Sequence, residues 1–457
     1  MIATASRERT APIVTNVLLV GIGVILLVLC RIGLHSRGVT DIVWFIKLAL
    51  VQSALYLTAV WLIVRARGVR STLLFVLLFA AIFRLSIIFA PPYLSDDIYR
   101  YVWDGRVQAA GINPYRYIPA DEHLQGLRDE EIYPKMNRRD YAHTVYPPAA
   151  EVMYFLTTRI SESVTWMKLT IVGFELFTVW ILMELLASFG MPRQRILIYA
   201  WHPLAVWEFA GSGHVDPLAF AFIALALLAR RRNWETTTGV ALGLATLAKL
   251  FPLLLFPALY KRWGWKMPVA LVVTIVAGYL PYLGVGPLGV LGFIPGYAQE
   301  RGIVSGEQFF ILGLVDRVLG VKLPNAVFLS FAGAALLALA LWSILKRDDN
   351  DRGYLKRSLV LGTAFIVLFA PHFPWYFAWL IPFLCFNPSV PVLYLTLSSL
   401  LLYLTWIYWT DTQVFRIKAL IFVPFFLFVV LAFWLERRKH SRILSADYSD
   451  YTDKKQQ

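Results

Sequence analysis

The chain has 457 residues, of which 58% are hydrophobic and only 16% are charged, and its mean hydropathy is +0.62. A soluble protein of this length needs a more polar surface, so the composition excludes a soluble globular fold. The formal net charge of +14 does not indicate nucleic-acid binding, because the basic residues form short clusters between apolar runs. Such clusters are typical of cytoplasmic loops that face anionic lipid headgroups.

Apolar runs of about 20 residues recur along the chain, and a helix of this length crosses a hydrocarbon core of about 30 Å. The runs are continuous and do not alternate with polar residues, so they predict helices and not a barrel. Clear spans are predicted at 13–33, 42–64, 71–89, 165–189, 266–285, 325–345, 358–371, 389–409 and 415–435. Shorter apolar segments lie at 146–160, 196–209, 214–230, 239–259 and 374–387. The sequence therefore predicts an all-α polytopic membrane protein of the helical type, with about 12–14 transmembrane helices.

The segment 90–145 differs from the rest of the chain. It contains nine acidic and seven basic residues and is the one long segment with a net negative charge. Basic residues before the first span and between the second and third spans predict that both of those ends are cytoplasmic. The segment 90–145 is then an extracytoplasmic loop, in which 97–110 and 121–132 are expected to form short amphipathic helices at the interface.

A single transmembrane domain is expected over 1–440, with a second extracytoplasmic loop at 286–324 and a disordered cytoplasmic tail at 441–457. The charge rule fails in the middle of the chain, where Arg230 to Arg232 fall outside in a simple topology. Short helices that turn back within the membrane would remove this conflict with the charge rule. Such helices are tolerated at membrane depth only where they line an enclosed or watery cavity. The conflict therefore predicts a buried polar site in the middle of the chain.

Two adjacent carboxylates, Asp96 and Asp97, follow directly on the third apolar run. One of them is a candidate general base that accepts a proton from an attacking hydroxyl. The alternative is structural, because Ser95, Asp96 or Asp97 is a suitable N-cap for a helix that starts near Ile98. The two interpretations are compatible, since one residue can cap the helix while its neighbour reacts.

A glycine-rich break between two short apolar segments carries His214 and Asp216. The functional interpretation is a polar wall for a sugar or a phosphate, in which Asp216 fixes the tautomer of His214. The alternative is a plain helix–helix turn with Asp216 as the next N-cap.

Four basic side chains are candidates for contact with a lipid phosphate. Lys249 ends an apolar helix of small residues, and His372 lies between two prolines that break a helix. Arg100 and Arg106 lie in the acidic loop. A cation held at membrane depth points to an anionic ligand. A snorkelling lysine, an interfacial histidine and arginines that face lipid headgroups are the alternatives.

The order of these motifs resembles a known family. The chain reads Asp97-Ile98-Tyr99-Arg100-Tyr101, then Ala110 to Tyr115 with Gly111 and Pro114, then Tyr146-Pro147-Pro148, then Gly213-His214-Val215-Asp216, then Lys249 ahead of Pro252. This order is similar to that of the GT-C superfamily of membrane glycosyltransferases. Within it, the chain is most similar to the polyprenol-phosphate-mannose-dependent mannosyltransferases of glycosyltransferase family 87 and related bacterial α-1,6-mannosyltransferases. Val215 departs from the family pattern, in which the hairpin often has asparagine at that position.

The resemblance implies an inverting transfer of a sugar, with mannose favoured, from a polyprenyl-phosphate donor to a hydroxyl of an extracytoplasmic glycolipid or polysaccharide. It implies a bacterial inner or plasma membrane protein whose active site is on the extracytoplasmic face. Asp97 aligns with the family's loop acid and would be the base, with Asp96 as a helper. Substrate binding is expected from Arg100, Arg106, Tyr146, His214, Asp216, Lys249 and His372.

No cofactor is expected, and a divalent metal is possible but not favoured. A hard cation needs several oxygen ligands, and few acidic residues accompany Asp96 and Asp97 in the sequence. Cys30 and Cys385 lie in apolar segments and indicate neither a disulfide nor a metal site. A transporter or flippase of lipid-linked or polar solutes is the alternative function, and a polymerase or ligase of lipid-linked glycans is a second one. The aromatic loop and the absence of a detectable sequence repeat favour the transferase.

Overall fold

The structure is a computed structural model that describes residues 2–34, 41–65, 70–307, 309–346 and 351–456, with side chains described except at 2–12, 70 and 439–456. The described residues form helices, turns and loops and contain no strand. The predicted all-α fold class is therefore confirmed. Of the basic residues used to orient the chain, Arg67 lies outside the described residues, and the side chains of Arg7 and Arg9 are not described.

The α-helices are α1 Ile2–Gly33, α2 Ile42–Arg65, α3 Arg70–Ile87, α4 Asp97–Ala109, α5 Pro148–Thr158, α6 Val164–Ser188, α7 Leu197–Ala200, α8 Pro203–Ala205, α9 Asp216–Arg231, α10 Glu235–Ala248, α11 Phe256–Leu259, α12 Lys266–Tyr279, α13 Ile294–Glu300, α14 Phe310–Leu319, α15 Asn325–Leu345, α16 Gly353–Phe369, α17 Ile381–Leu384, α18 Val390–Ser398 and α19 Asp411–Gln456. Short 3-10 helices lie at Glu122–Leu127, Tyr133–Lys135, Arg193–Ile196, Phe251–Leu255, Leu280–Val285, Gly289–Leu291, Pro374–Leu380 and Ser399–Trp406, and a π-helical turn lies at Val206–Gly211.

Six of the described helices are long and apolar enough to cross a membrane, and the chain is an all-α polytopic membrane protein. These spans are Ile13–Gly33, Ile42–Arg65, Val164–Ser188, Lys266–Val285, Asn325–Leu345 and Asp411–Arg438. Other predicted apolar segments form shorter apolar helices, for example Ser71–Ile87, Pro374–Leu384 and Val390–Trp406. A helix rises about 1.5 Å per residue, so helices of this length fall short of a full crossing. The predicted count of about 12–14 crossings stays a prediction.

The last helix, α19, is traced beyond its membrane-spanning part as far as Gln456. Its side chains are described only to Arg438. The disordered cytoplasmic tail expected over 441–457 therefore stays a prediction, as do the boundaries of the single domain.

The helix α4 confirms the helix predicted at 97–110. Its side chains Tyr101, Trp103 and Asp104 are buried. It packs closely on α5, since a Cβ added at Gly105 would lie 2.6 Å from the carbonyl oxygen of Tyr154. Much of the surface of α4 is thus covered by protein, and the interfacial position expected for this helix stays a prediction.

The two predicted extracytoplasmic loops contact each other. The amide of Asn113 donates to the carbonyl oxygen of Tyr282 at 2.8 Å, and the backbone N–H of Phe293 donates to the carbonyl oxygen of Thr144 at 3.0 Å. The loop 90–145 and the segment that includes 286–324 therefore lie at the same end of the molecule. This contact brings residues from distant parts of the sequence to the start of α4.

The middle of the chain packs through small residues. The helix α10 lies against α12, where a Cβ added at Gly239 would meet the backbone carbonyl oxygen of Met267. A Cβ added at Gly243 would lie 2.8 Å from the Cβ of Thr274. Backbone atoms give way less easily than side chains, so the glycine at 239 sets how closely these two helices approach.

Gly239→Ala is expected to lower the free energy of unfolding by about 1–3 kcal/mol, because overpacking displaces α12. The measurement is the unfolding transition of the purified protein in detergent, followed by tryptophan fluorescence. Gly173→Ala in α6 is the matched control, since nothing lies within 4 Å of a Cβ added there. The control should be as stable as the wild type or slightly more stable, because alanine favours helices over glycine. Equal transitions for the two variants would contradict the packing argument.

Candidate active site

Asp96 and Asp97 are joined by an amide from the same loop. The Nδ2 of Asn137 donates to Oδ1 of Asp96 at 2.5 Å and to Oδ1 of Asp97 at 2.8 Å. Asp96 occupies the N-cap position of α4, but its side chain caps no backbone N–H, and Ser95 Oγ instead accepts from the N–H of Asp97 at 3.2 Å. Both carboxylates are therefore free of a capping role. Burial raises the pKa of Asp96, and the nearby charge of Asp97 raises it further.

Arg138 fixes the orientation of that amide. Its Nη1 donates to Oδ1 of Asn137 at 3.1 Å, and its Nε donates to Oε2 of Glu300 at 2.8 Å. Burial acts to lower the pKa of Arg138, but the carboxylates of Glu300 and Asp97 outweigh it and hold that pKa above its ordinary value. Arg138 also adopts a φ of 53°, a left-handed conformation that is uncommon outside glycine. The second loop thus helps to position the two aspartates through Glu300.

His214 lies between two carboxylates. Its Nδ1 is 3.9 Å from Oδ2 of Asp97, and its Nε2 is 3.3 Å from Oε2 of Glu208. Its ring stacks on Trp375 with a centroid distance of 4.0 Å and an interplanar angle of 29°. The histidine is buried, whereas the side chain of Asp97 is 21% exposed. Asp97 is therefore the member of this group that a substrate can reach.

Gly213 explains why the hairpin approaches α4 so closely. It has a φ of 78°, and a Cβ at this position would clash with Cδ1 of Ile98. A glycine tolerates both the conformation and the contact. Because Ile98 follows Asp97, the contact at Gly213 brings His214 next to the carboxylate.

Asp216 contacts Lys249 and not His214. Its Oδ2 is 3.3 Å from Nζ of Lys249, and its Oδ1 accepts from Nε1 of Trp379 at 2.9 Å. The expected pairing of Asp216 with the histidine is therefore wrong, and Glu208 takes that place. The reason is geometric, since Asp216 begins α9 and Lys249 directly follows the end of α10, the helix that packs against α9. Lys249 also lies 5.9 Å from the ring centroid of Tyr376.

A row of aromatic rings runs from Lys249 towards the second loop. Phe373 and Trp375 stack at 4.3 Å, and Trp375 and Tyr376 follow at 6.0 Å. The guanidinium of Arg301 lies 4.4 Å from the ring centroid of Phe373. The row therefore separates two basic groups, with Lys249 at one end and Arg301 at the other.

His372 lines a cavity of about 520 Å³ next to this row. Arg301, Arg317 and Lys418 line the same cavity, as does Glu307. Burial and the charge of Lys418 lower the pKa of His372 to about 3, so the ring is neutral near pH 7. It can then donate an N–H to an anion, but it cannot act as an acid. The structure separates His372, in this cavity, from Lys249, which lies with Asp216.

The two predicted loop arginines have protein partners. The Nε of Arg100 donates to Oδ1 of Asp104 at 2.7 Å, and its Nη1 donates to the carbonyl oxygen of Ala142 at 3.1 Å. Arg106 pairs with Asp129 at 2.7 Å and with Glu162 at 2.8 Å. These contacts hold the loop together, and the binding role expected of the two arginines stays a prediction.

Tyr146 is buried among other tyrosine rings. Its ring meets that of Tyr101 edge-on at 5.0 Å and that of Tyr154 edge-on at 5.5 Å. Burial raises the pKa of Tyr146 well above its ordinary value, and the charge of Asp97 adds to this effect. The hydroxyl of Tyr146 therefore stays protonated next to the site.

Over the described part of the chain, no group of three or more His, Cys, Asp or Glu side chains is arranged to hold a metal ion. The expectation of a reaction without a cofactor stays a prediction.

Sequence reasoning missed Glu208, Asn137, Arg138 and Glu300. A lone acid within an apolar segment is a signal that marks Glu208, because a charge is costly to bury without a function or a partner. For the other three, no local signal separates them from ordinary polar loop residues.

Residues 32–264 match the family model described as alpha-(1->6)-mannopyranosyltransferase, N-terminal domain, and this match covers half of the chain. The chain is thus a membrane protein of the glycosyltransferase class, and it belongs to the alpha-(1->6)-mannopyranosyltransferase family. The predicted resemblance to GT-C mannosyltransferases is confirmed. The matched region contains Asp97, His214, Asp216 and Lys249, whereas His372 lies beyond it. No curated protein and no solved structure matches the chain significantly.

Proposed function

We propose that this mannosyltransferase uses a polyprenyl-phosphate-linked mannose as donor and inverts the anomeric carbon. The acceptor is a hydroxyl of a glycolipid or polysaccharide on the extracytoplasmic side of a bacterial plasma membrane. The observation that carries the proposal is the position of Asp97. It is a partly exposed carboxylate, held by Asn137 and flanked by His214, at the end of the molecule where the two loops meet.

In the proposed reaction, Asp97 accepts the proton of the acceptor hydroxyl. The hydroxyl oxygen forms a bond to the anomeric carbon on the face opposite the phosphate. The bond between the anomeric carbon and the phosphate oxygen breaks, and the polyprenyl phosphate leaves with the electron pair. One base suffices, because the phosphate is a good leaving group that needs no protonation.

Three cationic or donor groups are available to the leaving phosphate. Lys249 provides a positive charge at the end of α10, and its side chain is 14% exposed. Neutral His372 provides an N–H in the neighbouring cavity, where Arg301 adds a positive charge. Charge that develops on the phosphate is stabilised most by groups already in place. The proposal gives Asp96 the role of orienting the acceptor, and it gives Arg100 and Arg106 only a role in shaping the loop.

The experiment that tests the proposal compares donors. Purified protein in nanodiscs receives radiolabelled polyprenyl-phosphate mannose, or a radiolabelled nucleotide-linked mannose, with a bacterial lipid extract as acceptor. A labelled glycolipid or glycan is expected from the lipid-linked donor alone, and its amount should not change in excess chelator. Product from the nucleotide donor alone would refute the proposed donor. Movement of the labelled lipid across a vesicle without any product would favour a transporter.

A further inference from the structure

Glu208 is a buried acid that the proposed reaction does not use directly. It lies in the π-helical turn Val206–Gly211, where its side chain is fully buried. The hydroxyl of Tyr403 donates to its Oε1 at 2.6 Å. A buried carboxylate is costly unless it has a partner, and π-helical turns are frequent at functional sites. The residue therefore needs an explanation beyond packing.

The backbone fixes Glu208 relative to His214. The N–H of His214 donates to the carbonyl oxygen of Glu208 at 3.0 Å. This bond closes the turn and leaves Oε2 of the acid 3.3 Å from Nε2 of the imidazole. The other ring nitrogen faces Asp97 at 3.9 Å. The order Tyr403, Glu208, His214, Asp97 is thus a continuous line of polar groups.

Three neighbours hold the ring of His214 in place. Glu208 and Asp97 are carboxylates on opposite sides of the ring. Trp375 stacks on one face of the ring with a centroid distance of 4.0 Å. The imidazole is thus fixed between the two carboxylates, with one ring nitrogen towards each.

The other charged groups that face Asp97 have partners of their own. Arg138 is paired with Glu300, and Lys249 is paired with Asp216. Asp96, which directly precedes α4, is the acidic neighbour of Asp97. The tyrosines whose hydroxyls face Asp97 from the surrounding elements are Tyr101, Tyr146, Tyr154, Tyr297, Tyr376 and Tyr403. Among these groups, His214 is the one held towards Asp97 by a buried acid that the proposed reaction does not use.

We propose that Glu208 is a positioning residue that holds His214 against Asp97, so that the carboxylate is oriented for proton transfer. This inference rests on the proposed function, because it takes Asp97 as the base. Glu208 itself touches no substrate.

The test measures kcat and KM for mannosyl transfer in Glu208→Gln. Glutamine keeps the shape and still accepts from Tyr403, but it removes the charge that faces His214. We expect kcat to fall roughly 10- to 100-fold with the KM for the donor unchanged, because a displaced His214 leaves Asp97 misaligned with the acceptor hydroxyl. The same change made in a His214→Gln background should cause no further loss of kcat. Glu184→Gln, a partly exposed acid near the end of α6 paired with Arg193, is the matched control and should keep the wild-type kcat.

An equal loss of kcat from Glu208→Gln in the wild-type and the His214→Gln backgrounds would overturn the inference, because a role that does not act through His214 predicts that result. If Glu208→Gln does not fold, Tyr403→Phe replaces it, since it removes the hydrogen bond that holds the Glu208 carboxylate. A smaller fall in kcat that is absent in the His214→Gln background is expected, and no fall would overturn the inference. Failure of the wild type to transfer mannose would refute the proposed function. An active wild type with an inactive Asp97→Asn and a wild-type kcat in Glu208→Gln would refute this inference alone.

Discussion

Asp97→Asn is expected to lower the rate of mannosyl transfer by roughly 10²- to 10⁴-fold, the contribution of a well-placed general base. Asparagine has the same size as aspartate but accepts no proton at the pH of the reaction. The Nδ2 of Asn137 can still donate to its amide oxygen, so the start of α4 should keep its shape. Binding of the donor lipid, measured by co-purification of the labelled lipid, should persist.

The control for this prediction is Asp140→Asn. Asp140 lies in the same loop, its side chain is 73% exposed, and its contact with Arg139 is a weak one at 3.6 Å. This variant should transfer mannose at the wild-type rate. Asp96→Asn separates the two neighbouring acids and is expected to retain more activity than Asp97→Asn. Asp97 would not be the base if Asp97→Asn were as active as the wild type. The same would follow if Asp96→Asn, and not Asp97→Asn, were the inactive variant.

The double variant Lys249→Met, Asp216→Asn is expected to lower single-turnover transfer by roughly 10²- to 10³-fold, as the loss of one electrostatic stabiliser does in other enzymes. The double change is needed because removing the lysine alone leaves the buried carboxylate of Asp216 without its cation, which destabilises the fold. The amide at 216 can still accept from Nε1 of Trp379. Transfer is measured by rapid quench with the donor bound.

Two controls bracket this second prediction. Lys249→Arg keeps the charge and should retain most of the activity. Lys261→Met removes a lysine at the surface, where it contacts Asn233, and should leave transfer unchanged. A double variant that transfers mannose as fast as the wild type would show that Lys249 does not stabilise the leaving phosphate.

Much of the fold followed from the sequence because its signals are local. A run of about 20 apolar residues predicts a membrane helix regardless of its neighbours. The helix at 97–110 was predicted correctly in extent, but its buried position depends on Gly105 and α5, which lie far apart in sequence. The lengths of the shorter helices likewise depend on packing and not on local composition.

The candidate site was predicted in part for the same reason. Asp97, His214 and Lys249 stand out as polar residues at breaks in apolar sequence. Their partners could not be paired from the sequence, since Asn137 lies 40 residues beyond Asp97 and Tyr403 lies 195 residues beyond Glu208. Asp216 was assigned to its near neighbour His214, whereas the fold turns it towards Lys249. Contacts between residues far apart in the chain cannot be identified from a single sequence.

The stereochemistry of one turnover is the most direct test of a single displacement with Asp97 as the base. Purified protein is given a polyprenyl-phosphate mannose of known anomeric configuration that carries ¹³C at the anomeric carbon, and the one-bond carbon–hydrogen coupling of the product is measured by NMR. A single displacement with Asp97 as base predicts a product of the opposite configuration, which is absent when Asp97→Asn is used. A product of retained configuration would contradict a single displacement with Asp97 as the base, because retention requires a second displacement that this reaction does not contain.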